Sequence, residues 1–537
     1  ESLPPLPVAK TAEEKHKKLP KNGMSSRLIK FSLGMYKTFD MPYKGGGVFA
    51  YVYPSQHEAI GKWAYNEFLT ENALDPTVFP SVMRLETEVV SMVCSQMRAP
   101  ITAVGNFTTG GTESIFLAVK TARDYGRAKG ITQPELVMPV TAHAAFHKAC
   151  HLLCIKLVLT GCHTDWKANV EELAKKVTKN TIMIVGSAPG YAHGVADDIP
   201  ALGRLAQEKK LWLHVDGCIG AWVLSFWRKL GVQVPPFDFA DVPGVSSLSV
   251  DLHKYGFCPK PSSVVIYRSD ELRKYQLFTC ADWPGYTIIN TTFASSKTGG
   301  PVAASWATLC AIGEQGYLDE FSAILRGTRA LVDGIKKIPA LRLVAEPDSN
   351  LIAFTSDSIN LFLLSDRMKD RGWFIQPQLH YNDSPVNIHI SVNSLAERNA
   401  PRMLSDLAEC VEGCHGYTVP PHVKAVVDKA LGVTTLTREF YLELLQEMGM
   451  STTDLPDQLT DINFAMDQLS PSMRGQLMVM FANDLFQFDN VSAAEEERRM
   501  ISKKLGEYKA KAVQALAGAA IFGGMVALGF IMARKSK

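Results

Sequence analysis

The chain has no N-terminal apolar run. Its first residues, ESLPPLPVAKTAEEKHKKLPKNG, are rich in proline and lysine, which reads as neither a secretory signal nor a membrane span. It lacks a dominant charge as well, with 56 Lys and Arg against 54 Asp and Glu and a net charge of +2. No strong field results, so nucleic acid is not expected among its partners. Metal-ligand spacing is also missing. Ten cysteines are present, and Cys150/Cys154 and Cys410/Cys414 are each four apart, but no second pair or histidine-rich partner completes a zinc site. No metal is expected, and apolar neighbours suggest reduced, buried thiols in a cytosol-like compartment. There is no internal repeat. A 46% hydrophobic and 20% charged composition excludes wholesale disorder, and 537 residues are too many for one compact core.

One long hydrophobic run stands apart. From Ala512 to Ala533 the sequence AVQALAGAAIFGGMVALGFIMA has Gln514 as its only polar side chain. At ~1.5 Å per residue a helix of this length reaches roughly 33 Å, against a bilayer core of about 30 Å. Lys503, Lys504, Lys509 and Lys511 precede it, and Arg534, Lys535 and Lys537 follow, so the positive-inside rule does not set its orientation. Small residues at Ala519/Gly523 and Ala520/Gly524 let two such helices approach closely. The competing reading is a buried Ala/Gly-rich helix of an oligomer. The two basic flanks favour a transmembrane tail anchor over 512–533, with the rest of the chain in the cytosol.

Between these ends, apolar segments alternate with helical ones. Phe79 to Met97 reads as a helix, followed by the strand-like ITAVGNFTT (101–109) and a helix over Thr112–Lys129. ELVMPV, IKLVLT, TIMIVGSAP and LWLHVD then alternate with helices over Ala144–Leu153, Asn169–Lys176 and Ala201–Lys209. Strands separated by helices of this length indicate βαβ units and a mostly parallel sheet, an α/β fold. SSLSVDLHK (246–254) and SSVVIYRS (262–269) add two strands, antiparallel to each other, and helices over Val302–Glu314 and Tyr317–Ile338 lead onward. The expected organisation is an extension (1–80), a large sheet domain (81–330), a smaller α+β domain (331–420), a charged helical region without a motif (421–510), and the apolar tail.

Four features stand along the sheet in a telling order. Gly110-Gly111-Thr112-Glu113-Ser114 follows a strand and opens a helix, where free N–H groups and the helix dipole suit a phosphate; an ordinary N-cap reads the same way. His143 follows ELVMPV at a helix start, placed to stack on a flat heterocycle or merely to cap. Asp216 ends LWLHVD at the carboxyl edge of the sheet, where open α/β sheets bind ligands. A carboxylate there keeps a pyridine nitrogen protonated, although a turn-forming Asp is equally ordinary. Lys254 follows His253 in an apolar stretch, where a lysine near other cations has a lowered pKa and bonds an aldehyde; its alternative is a snorkelling surface lysine. Taken together the four describe a pocket for pyridoxal 5′-phosphate.

At these residues the chain resembles the group II pyridoxal-phosphate-dependent decarboxylase family of fold-type I, over about residues 40–400. The likeness rests on VYP (52–54), FPSVMRLETEVV (79–90), TTGGTES (108–114), TAHAAFHKA (141–149), HVDGCIGAW (214–222), DLHKYGFCPKPSSVVIYRS (251–269) and DWPGY (282–286). It implies a homodimer whose active sites both subunits build. Lys254 is then the Schiff-base lysine, Asp216 the partner of the pyridine nitrogen, and His143 the stacking residue. Gly111, Thr112 and His253 hold the cofactor phosphate, helped by Gly299 and Gly300 of the second subunit. Tyr53 and Lys260 fall where family members meet the substrate head group and assist turnover.

The most similar branch of that family cleaves phosphorylated sphingoid bases. It implies a carbon–carbon lyase that yields a long-chain aldehyde and phosphoethanolamine by retro-aldol cleavage, with Tyr53, Lys254 or the substrate phosphate as the base. The membrane tail suits so apolar a substrate and implies the endoplasmic reticulum or another intracellular membrane, with the catalytic part facing the cytosol. Two departures stand out: Asp75, in NALDP, replaces a family histidine, and SKTGG (296–300) lacks a family arginine. An acid at position 75 disfavours a dianion, which leaves amino-acid decarboxylation as the alternative reaction. A catalytically dead scaffold is disfavoured because His143, Asp216 and Lys254 are all present.

Overall fold

The computed structural model describes residues 17–54, 56–450 and 456–486. The chain divides into two units, and the larger comprises Pro42–Lys424 with Asp457–Gln468. At its centre is a seven-stranded sheet: β1 (Val104–Thr108), β2 (Glu135–Pro139), β3 (Lys156–Thr160), β4 (Thr181–Ser187), β5 (Trp212–Asp216), β6 (Val245–Val250) and β7 (Ser263–Tyr267). Its order is β1-β7-β6-β5-β4-β2-β3. The strands from β3 to β6 pair in parallel, and β7 is antiparallel to both its neighbours. Every residue of β2, β4, β5 and β7 is buried, which explains their unbroken apolar runs: helices cover both faces. Alternation divides the side chains between two cores. Val137, Ile184 and Val215 face one, while Leu136, Met138 and Val185 face the other.

The crossover helices start where the sequence supplies caps. Asn169 accepts from Glu172 N at 2.9 Å to open Val170–Lys176, and Asp198 accepts from Ala201 N at 2.9 Å to open Ile199–Lys209. Of two expectations in this stretch, one holds and one needs correction. The two helices expected over 302–314 and 317–338 meet within Gly299–Ile335 at a break at Gly313 (φ 61°, ψ 177°), a backbone state that glycine adopts without strain. The strand expected to run to Lys254 stops at Val250. A turn follows, closed by Lys254 N to Asp251 O at 3.3 Å and Cys258 N to Leu252 O at 3.0 Å.

A hairpin of β8 (Phe278–Cys280) and β9 (Ile288–Asn290) leads to a four-stranded antiparallel sheet of β10 (Arg342–Leu343), β11 (Leu351–Thr355), β12 (Gln376–Gln378) and β13 (Asn387–Ser391), ordered β10-β11-β13-β12. The later helix Thr460–Gln468 returns to this unit. Asp366 Oδ2 accepts from Leu459 N, Thr460 N and Thr460 Oγ1 at 2.6–2.8 Å.

The second unit contains the helix Ser26–Tyr36, whose N-cap is Ser25. It also contains the helices Arg438–Glu447 and Pro471–Leu485, which share a core around Tyr441, Leu444, Leu469 and Met473. The expected tail anchor at 512–533 lies outside the described residues. Among those described, no helix is long and apolar enough to cross a membrane.

Candidate active site

The carboxyl edge of the parallel strands carries the site. Register places Ser187 beside Asp216 and Asp216 beside Ser249, so β4, β5 and β6 end level. Over this edge opens a cavity of about 360 Å³. Asp216 is buried at its base, with Oδ1 accepting from Cys218 N at 3.1 Å. On one side the helix Gly111–Ala128 points its N-terminus inward. Gly110 precedes it at φ 154°, a conformation that side chains strain to adopt. Glu113 Oε2 holds the turn by accepting from Thr109 N (2.7 Å) and Thr109 Oγ1 (2.8 Å). The first-turn N–H groups have no intrahelical acceptor and face the cavity.

His143 lines the opposite wall and is also the N-cap of Ala144–Leu152, with Nδ1 accepting from Ala145 N at 3.1 Å. The two readings of this residue coexist, because the cap fixes the ring that faces the cavity. His253 Nδ1 contacts Ser262 O at 2.6 Å. Its imidazole is held below its ordinary pKa by burial and by Lys254, against the opposing pull of Asp251.

Lys254 projects into the cavity, and here the sequence expectation is overturned. Burial works to strip its proton, but the buried Asp251 carboxylate, with Oδ2 at 3.0 Å from Nζ, outweighs burial and holds the ammonium well above its usual range. Asp251 is lowered in turn, again against burial, by Lys254 and then His253. Lys254 is therefore a paired ammonium, not a neutral amine. Asp251 went unrecognised in the sequence because VDLHK reads as the end of a strand.

Other expected residues lie elsewhere. Tyr53 stacks edge-on against Tyr255 at 4.8 Å. Burial pushes its phenol up to about 12, with Lys254 pulling the other way, so it keeps its proton at neutral pH. Lys260 does not line the cavity; Nζ donates to Tyr51 O. Gly299 and Gly300 also lie outside it. Gly299 N donates to Glu71 O at 2.8 Å, and a methyl group on Gly300 would meet Tyr65 O at 3.1 Å. Asp75 spends its carboxylate locally, accepting from Thr77 N (2.8 Å) and Thr77 Oγ1 (2.6 Å), and these bonds hold it below its ordinary pKa. Tyr191, Ser187 and Cys218 line the cavity and carried no sequence signal beyond their strand ends.

Pyridoxal 5′-phosphate fits these residues. Asp251 Oδ1 and Ser187 Oγ are buried without a partner at the cavity wall, and such atoms call for a ligand or water. A methyl group on Gly111 would come within 2.7 Å of Asp251 Oδ2 and 2.9 Å of Cys218 Sγ, so only glycine keeps the phosphate cradle open. An α/β sheet with an anion cradle, a strand-end carboxylate and a lysine on the following turn defines the pyridoxal-phosphate enzymes of fold-type I.

Residues 52–357 match the model of the pyridoxal-dependent decarboxylase conserved domain. A sphingosine-1-phosphate lyase of Oryza sativa subsp. japonica is 39% identical over 404 residues, covering 73% of this chain and 74% of that one. One of Arabidopsis thaliana is 41% identical over 362 residues, 66% of each. The solved sphingosine-1-phosphate lyase of Burkholderia pseudomallei superposes with a TM-score of 0.71 at 33% identity, over 78% of this chain and 96% of that one. The chain belongs to the pyridoxal-dependent decarboxylase family, within its group of sphingosine-1-phosphate lyases, and pyridoxal 5′-phosphate is its cofactor.

Proposed function

We propose that this chain is an aldehyde-lyase that splits phosphorylated sphingoid bases, sphingosine-1-phosphate among them, into a long-chain aldehyde and phosphoethanolamine. The observation that carries the reading is the convergence of Lys254, Asp216, His143 and the Gly111 cradle on one cavity, in a chain related throughout that region to lyases of this name. Pyridoxal phosphate, when bound, supplies an aldehyde that holds an amine and a ring that accepts the electron pair of the breaking bond.

The chain's own groups do the rest. N–H groups of Gly111 and Thr112, with His253, hold the phosphate. Asp216, at the base of the cavity, would face the ring nitrogen, and His143, on its wall, would cover the ring. Lys254 would hold the cofactor and serve as a proton donor or acceptor at Nζ. Tyr53, which keeps its proton, acts as a donor and orienting group rather than as the base. The base for the substrate hydroxyl is then Lys254 or the substrate phosphate. Lys260, lowered from its usual pKa by burial and by Lys254, meets the head group. Gly299 and Gly300 complete the cradle of the partner in a homodimer, and 512–533 tethers the enzyme to an intracellular membrane with the active site in the cytosol.

The test is incubation of the holoenzyme with sphingosine-1-phosphate, assaying long-chain aldehyde and carbon dioxide together. Aldehyde without carbon dioxide is expected, and none from Lys254→Ala, which also lacks the borohydride-reducible visible absorbance. Carbon dioxide release from an amino acid instead would establish the decarboxylase reaction. Cleavage by Lys254→Ala at the parent rate would refute the residue assignment.

A further inference from the structure

Next to the cofactor cavity lies a second one of about 810 Å³, and His143 and Tyr191 line both. Ala142, which follows β2, and Thr160, at the end of β3, are its buried residues on the sheet side, with Val140 half-buried beside them. Leu159, Trp166 and Leu379 flank it, half-buried. Among its lining residues there is no lysine or arginine, and the one carboxylate, Asp383, is exposed. A phosphate therefore has no counter-charge here.

Several polar atoms of this wall are already occupied with one another or with neighbouring backbone. His193 Nε2 lies 2.9 Å from Ser384 Oγ. Gln378 Nε2 donates to Ala192 O at 2.9 Å and to Asn387 Oδ1 at 2.7 Å, and Trp166 Nε1 donates to Val344 O at 3.2 Å. Burial lowers His193, stacked flat on Trp166 at 4.4 Å, to about 4, and lowers His389, stacked behind Tyr191 at 4.1 Å, to about 3. Between these groups a ligand meets the apolar and aromatic surface of Ala142, Leu159, Trp166 and Tyr191. A polar guest would lose its water without replacement bonds, whereas an alkyl chain loses nothing by leaving water.

We propose that this second cavity receives the alkyl chain of the substrate, which runs from the cofactor site past His143 and Tyr191 and lies against Leu159, Trp166 and Leu379. The inference rests on the reading of the substrate as a phosphorylated long-chain base, and adds where chain length is sensed.

A homologous series of base phosphates of increasing chain length tests it on the holoenzyme. kcat/KM is expected to rise about four-fold per methylene, ~0.8 kcal/mol each, until the cavity is filled. In Leu159→Trp and in Leu379→Trp the rise should stop at shorter chains. Long-chain substrates should lose about ten-fold or more in kcat/KM, chiefly through KM, while the shortest one is unaffected. Equal loss at all lengths, in variants that keep the borohydride-reducible absorbance and the parental melting temperature, overturns the proposal; so does a parent enzyme indifferent to chain length. If no base phosphate is cleaved, it is the proposed reaction that fails. Binding of the same series, read from the fluorescence change that Trp166→Phe lacks, then decides the cavity's role: affinity rising with length supports it, and a flat series overturns it.

Discussion

Lys254 and Asp251 move each other's titration in opposite directions. Burial opposes both charges, and the 3.0 Å pair outweighs it in both. Asp251, lowered from 3.8, contributes stability above that value which is lost as pH falls through its folded pKa. Lys254, raised from 10.5, contributes stability below that value which is lost as pH rises through its folded pKa. The pair's contribution is therefore flat between the two limits. In Asp251→Asn the main group opposing burial is gone and only the weaker pulls of Cys218 and Tyr53 remain, so the lysine pKa should move down. Acylation of Lys254 in cofactor-free protein, followed against pH, should show its midpoint moved down; an unmoved midpoint would mean that Asp251 does not set the charge. Asp216, buried at the base of the cavity, is proposed to act differently, as the partner of the cofactor's ring nitrogen. Asp216→Ala should lower kcat by ~10²–10³-fold while leaving the melting temperature of the cofactor-free protein nearly unchanged. Lys254, His143 and Asp216 were legible as residues because their chemistry is rare at strand ends. Asp251 was not, because a carboxylate announces a charge partner only when the turn folds it against one.

The elements around the cavity are held by a few buried polar groups. Asp197 accepts from Ser187 N and Ala168 N, each at 2.7 Å, joining the end of β4 to the segment before the helix Val170–Lys176. Burial raises its pKa to about 6 despite those bonds. A carboxyl raised in the fold adds stability below 3.8 that is lost as pH rises through about 6. The parent protein should therefore gain unfolding free energy relative to Asp197→Asn as pH falls through that interval, by up to about 3 kcal/mol, read from denaturant melts at each pH. Parallel pH dependences for the two proteins would contradict this. Gly111 poses a steric question instead. Gly111→Ala puts a methyl group 2.7 Å from Asp251 Oδ2, so dialysis should strip cofactor from that variant at least about ten times faster than from the parent, in proportion to the lost anion contacts. Equal retention would place the phosphate elsewhere. The strands and their caps could be read from apolar runs and from Asn169 and Asp198. The break near Gly313 was also legible, as the gap between two helices; the end of β6 was not, since strand propensity continues smoothly through it.

At the scale of the whole molecule, the exposed hairpin residues Phe278 and Ile289, the exposed Phe293 after the hairpin and the position of Gly299 away from its own cavity are what support the proposed second copy. The protein should sediment at about twice 59.0 kDa, and a monomer with full activity would exclude shared sites. Deletion of residues 512–537 should move the protein from the membrane pellet to the supernatant without changing kcat on a short-chain substrate; an unchanged distribution would remove the tether.

The order of motifs along the chain determined the α/β class, the cofactor and three residues that line one cavity, because phosphate, pyridine and aldehyde each demand a residue type that local sequence displays. The charge on Lys254, the local use of Asp75 by Thr77 and a second cavity without lysine or arginine were decided only by tertiary packing. Burial and ion pairing depend on which distant residues share a space, and no window of sequence contains that information.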